Sequence, residues 1–140
     1  MKWITRENAA VDRTACPWLI RRFVDPEAEF LFVPPGQVME TATATGAIPY
    51  DVEGVELGHQ GGRCSFESIV LKYGLREPAL QRMAAIIHGA DVAGSEGPPE
   101  AAGVKAIMHG LRLELGLEDQ RKLALTAPIY DALYTYCGQA

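Results

Sequence analysis

At 140 residues, with 48% hydrophobic and 22% charged side chains, the chain has the size and balance of one globular domain, which excludes a disordered or collagen-like protein. A net charge of −5 argues against a free-standing DNA-binding module, whose affinity rests on neutralising phosphates. No apolar run approaches a membrane span of roughly 18 residues, the start MKWITRENAA has no signal-peptide core, and three scattered cysteines suit a reducing compartment. The expectation is a single cytoplasmic domain over residues 1–140.

Lys2–Arg6 reads as a strand through Trp3, Ile4 and Thr5. Asp12 or Thr14 is a candidate cap for a helix striped by Trp18, Leu19, Arg22 and Phe23, which Asp25-Pro26 ends. Glu29–Val33 is then a buried strand closed by Pro34-Pro35-Gly36, and the spacing predicts a βαβ unit with parallel strands. Gln37–Thr45 reads as a short helix and Ile48–Val52 as a third strand, turning at Glu53-Gly54 towards a hairpin partner at Val55–Leu57. Gly58–Arg63 is a glycine-rich loop, and Cys64 or Ser65 opens a helix that runs to about Tyr73, with Gly74 as its C′ residue. The second half is helical: Pro78–Ala90, a loop over Ala93–Pro99, Glu100–Leu115, and Glu118–Cys137 interrupted at Ala127-Pro128. The fold class expected is α+β, a small N-terminal sheet followed by a mainly helical half.

Three histidines are available for chemistry. His59 stands in the glycine-rich loop, where backbone N–H groups are free to approach a ligand; its alternative is a solvated loop residue. His88 and Asp91 lie three apart at a helix end and so share a face; an imidazole with a carboxylate suits zinc, iron, nickel or manganese, the alternative being His88 capping its own helix. His109, beside Met108 and Leu111, reads as a half-buried packing residue. Cys16 heads a C-x5-R spacing, but bulky Trp18, Leu19 and Ile20 spoil it as an anion loop, leaving a buried helix residue. Cys64 is the more interesting thiol, with His59, Arg63 and Glu67 near it in sequence. Arg13, Arg63 and Lys72, with Arg21 and Arg22, are candidates for an anion pocket or for solvated helix faces. Neither a glycine-rich phosphate fingerprint nor a serine nucleophile elbow is present.

Four blocks carry a resemblance: VDRTACPWLIRRFVDPEAEFLFVP (Val11 to Pro34), VELGHQGGRCSFE (Val55 to Glu67), IIHGAD (Ile86 to Asp91) and PIYDALY (Pro128 to Tyr134). In this order they closely resemble the C-terminal domain of the chromate-resistance ChrB proteins. The resemblance implies a link to chromate-resistance operons, in which such proteins regulate transcription in response to chromate. Longer members carry an additional N-terminal region, the expected place for DNA contact. This chain begins where the C-terminal domain begins, so no direct nucleic-acid partner is expected of it.

The matching blocks contain His59, Cys64, Glu67, His88 and Asp91. They suggest a divalent transition metal held by His59, His88 and Asp91, flanked or completed by Glu67 or Cys64, with positions left for water or an oxyanion. Two functions follow. One is a metal- or chromate-responsive binding module, in which Arg13, Arg63 and Lys72 steer an oxyanion and Cys64 is redox-active. The other is a metal-dependent enzyme with Glu67 as general base. A cysteine-based reductase is weaker, since no second cysteine lies close in sequence. The ligand expected is a small oxyanion or small molecule; no membrane partner is expected, and the apolar helices are compatible with a homodimer.

Overall fold

The computed structural model describes residues 1–92, 94 and 97–139. Strand β1 (Lys2–Arg6) leads into α1 (Asp12–Phe23), β2 (Glu29–Val33), a 3₁₀ turn over Pro35–Gln37, α2 (Val38–Thr45) and the two-residue β3 (Ile48–Pro49). Helices α3 (Ser65–Lys72), α4 (Pro78–Asp91), α5 (Glu100–Leu115) and α6 (Asp119–Cys137) follow. The sheet order is β2-β1-β3, and both pairings are parallel. This is the α+β architecture expected, with its N-terminal βαβ unit.

The period of two along β1 divides the core. Trp3, with Phe30 of β2, joins the larger cluster with Ala15 and Leu19 of α1. Ile4 instead joins Val38 and Ala42 of α2, with Leu31 and Val33 packed against them. The two crossover helices therefore cover opposite faces of β1, and the C-terminal ends of β1 and β3 open towards the same edge. In open parallel sheets that edge is where ligands bind.

Three expectations need correction. The third strand stops at Pro49, and the described residues contain no hairpin with Val55–Leu57. Ile48 and Pro49 pair with β1 in parallel, and Asp51 then takes φ 50°, which breaks the extended backbone a hairpin needs. Helix α6 runs without a break through Pro128. Its packing against α1 and α4 keeps the helix despite the absent N–H. His109 is exposed, because the step from buried Met108 turns it away from the core. The expected Ala93–Pro99 loop lies partly outside the described residues. Among the described residues, no helix is long and apolar enough to cross a membrane.

Candidate metal centre

Asp12 is the first residue of α1, yet its carboxylate does not cap that helix. It crosses to α3, accepting from the N–H of Ser65 at 2.7 Å and of Phe66 at 3.2 Å. A carboxylate is favourable at a helix N-terminus, where N–H groups lack intrahelical partners. The loop before Asp12 is fixed from α6. Asp119 accepts from the N–H groups of Asn8 (2.9 Å) and Ala9 (2.8 Å), while buried Lys122 donates to Ala9 O and Asp119 Oδ1, both at 3.0 Å.

Asp51 follows β3. It accepts from Ser65 Oγ at 2.7 Å, and its other oxygen lies 3.4 Å from Arg13 Nε and 3.5 Å from Arg6 Nη2. His59 reaches the same place from the glycine-rich loop. A Cβ on Gly58 would lie 2.5 Å from Val52 O, so only glycine allows the loop this close to the residues after β3. His59 Nε2 lies 3.0 Å from Asp91 Oδ2 and 3.5 Å from an oxygen of both Asp12 and Asp51. One candidate ligand atom from each of Asp12, Asp51, His59 and Asp91 falls within 4.8 Å of all the others.

Asp12 is 1% exposed and His59 50%, so the cluster runs from the core to solvent. Burial pushes Asp12 up to about 7; the contact with His59 opposes this, and the charges of Asp91 and Asp51 add to it. Burial likewise raises Asp91, helped by the charge of Asp51. Asp12 and Asp51 push His59 the other way, up to about 10. Three acids thus meet one imidazole, and of their side-chain oxygens Arg6 and Arg13 reach only Asp51 Oδ2, Arg6 also donating to the Asp51 carbonyl at 3.1 Å. Asp91 also ends α4, where the helix dipole disfavours an anion.

A second group sits on the other side of the α3 N-terminus. Cys64 and Glu67 form a capping box: the thiol accepts from the N–H of Glu67, and Glu67 Oε1 accepts from Cys64 N–H at 2.9 Å. The same Oε1 lies 2.6 Å from His88 Nδ1. Burial raises Glu67, but hydrogen bonds from Cys64 and His88 outweigh it and hold the carboxyl below its ordinary range. An ionised carboxylate only accepts, so Nδ1 carries the hydrogen, and Nε2 has no hydrogen-bond partner among the described residues. Burial pushes the Cys64 thiol strongly up, which keeps it protonated and suits a cap better than a nucleophile.

Of the ligands expected from sequence, His59 and Asp91 come together, while His88 joins Glu67 and Cys64 in the second group. The basic residues do not converge. Arg13 is taken up by Asp51 and by the carbonyls of Arg6 and Glu7, Lys72 pairs with Glu56 at 3.2 Å, and Arg63 lies beside Glu67 along another groove. Arg21 lies over Phe30, and Arg22 bonds Asp131 at 2.8 Å. Sequence reading missed Asp12 and Asp51 as ligand candidates and Arg6 as their neighbour. Asp12 carries a faint signal, an acidic residue in a family-like block, whereas Asp51 becomes visible only once the parallel sheet brings it beside Ser65.

A three-stranded parallel sheet with a carboxylate–imidazole cluster at its C-terminal edge defines an α+β domain. The family described as ChrB, C-terminal domain, matches residues 3–137. Protein ChrB of Cupriavidus metallidurans is 38% identical over 136 residues, which make up 96% of this chain and 40% of that protein. The chain belongs to the ChrB C-terminal domain family, and it spans less than half the length of this relative. No solved structure matches it.

Proposed function

We propose that this domain binds a divalent transition metal through Asp12, Asp51, His59 and Asp91, and that it serves as a metal- and oxyanion-responsive module linked to chromate resistance. The observation that carries this reading is the grouping of three carboxylates, with only His59 among them, within 4.8 Å. A divalent cation bound where the three acids meet would take the place of the His59 proton and offset the burial, and the smaller mutual repulsion, that raise Asp12 and Asp91. Oxygen donors with one imidazole suit manganese, iron or zinc better than a soft ion. The half-exposed His59 borders a cleft of about 250 Å³, lined also by Arg6, Asp51 and Glu53, which would give a bound metal access to solvent. An oxyanion on the metal would meet the Arg6 guanidinium there. The link to chromate rests on family membership, and the expectation of a reducing, cytoplasmic setting on three cysteines that form no disulfide.

That open cleft also favours a second reading, a metal-dependent enzyme in which an exchangeable water occupies the outer position. Titration calorimetry of chelator-stripped protein with Mn²⁺ and Zn²⁺ tests the shared premise. One saturable equivalent is expected, lost in Asp91→Asn and His59→Ala. Chromate or phosphate binding that requires the metal supports the responsive module. Absence of metal binding, or binding indifferent to both substitutions, overturns both readings.

A further inference from the structure

A separate groove of about 400 Å³ runs between α3 and α4, away from the carboxylate cluster. Its floor and walls are Val70, Leu71, Leu75, Ala84 and Ala85, with Arg63 and Arg76 at its polar positions. Leu71 is a large apolar side chain left 63% exposed among the described residues. Arg63 Nε is buried without any hydrogen-bond partner among the described residues. Nε itself is out of a ligand's reach, but its lack of a partner leaves the Arg63 side chain without an internal anchor, and the outer N–H groups of a guanidinium are matched in shape by a carboxylate. Glu67 also lines the groove, but its Oε1 already serves Cys64 N–H and His88 Nδ1. The arginines therefore outnumber the one acid facing the groove.

We propose that this groove binds a small organic anion, a carboxylate carried on an apolar body, with Arg63 and Arg76 on the carboxylate and Leu71, Leu75 and Ala85 against the body. The volume lies within the roughly 300–1,000 Å³ of small-molecule sites. An inorganic oxyanion would satisfy the guanidinium and leave the apolar walls in water, so the walls select the organic class. This site stands whether or not the carboxylate cluster binds a metal.

The test is mapping of backbone amide shifts in ¹⁵N-labelled full chain titrated with octanoate, benzoate, acetate and inorganic phosphate. Octanoate or benzoate is expected to give saturable shifts confined to residues 63, 67–76 and 81–85. Arg63→Gln should weaken that binding by about tenfold or more, since a charge-assisted hydrogen bond is lost. Ala85→Trp, at an exposed position, should block the groove while leaving the remaining spectrum unchanged. Equal binding of phosphate and octanoate would overturn the organic-anion assignment. Absence of saturable shifts with octanoate and benzoate would overturn the site, as would binding that survives both substitutions.

Discussion

At the scale of the residue, Asp12 and His59 set the pH behaviour. In the unfolded chain Asp12 ionises near its ordinary 3.8, whereas in the fold it keeps its proton to about 7. Between those values the folded form binds more protons, so stability falls as pH rises. His59 contributes with the same sign: its stabilisation is fully present below 6.5 and is lost as pH climbs towards about 10. Metal-free protein should therefore melt at lower temperature as pH rises from about 5 to 9, and Asp12→Asn should flatten the acidic half of that slope. Scanning calorimetry across pH checks this; a rising melting temperature over the same range would contradict it. Metal must also displace the His59 proton, so binding near neutrality should release protons, measurable as heats that depend on buffer ionisation. A glycine-rich loop and a helix-end spacing marked His59 and Asp91 in the sequence, but that spacing paired Asp91 with His88, which the fold places in the other group. Their partners in the cluster were not marked, since Asp51 is a lone acid after a short strand and Asp12 resembles an ordinary helix cap.

At the scale of the element, two contacts hold the segments that carry the acidic cluster. Lys122 is 1% exposed and neutralises Asp119 while holding the Ala9 carbonyl, three residues before Asp12. Lys122→Ala leaves a buried carboxylate without its cation, and should cost roughly 3–5 kcal/mol in urea unfolding. Helix α4, which ends in Asp91, crosses the segment leading into α5 at a pair of glycines. A Cβ on Gly89 would sit 2.7 Å from Gly97 Cα and 2.9 Å from Ala101 Cβ. Gly89→Ala should destabilise by roughly 1–3 kcal/mol through this overlap. Gly103→Ala and Gly110→Ala, with nothing within 4 Å, should stabilise α5 by roughly 0.5–1 kcal/mol each. Equal effects at all three positions in thermal melts would contradict the close crossing. The helices were readable from apolar spacing and breakers. Local signals misread Ile48–Val52 and Pro128, because pairing with β1 and packing against α1 and α4 decide those segments.

At the scale of the whole molecule, the parallel sheet and the helical half meet where the charge collects. Asp12 and Asp51 come from the sheet's C-terminal edge, His59 from the loop beyond it, and Asp91 from the end of α4. The net charge of −5 gave no hint of this concentration, which only the fold assembles. The claim that one metal binds at this junction is tested most directly by elemental analysis of protein loaded with Mn²⁺ or Zn²⁺ and freed of excess by gel filtration. One equivalent is predicted in the unaltered chain and in His88→Ala, with loss in Asp12→Asn and His59→Ala. A metal-free unaltered chain, or metal lost with His88 and kept without Asp12, would contradict it.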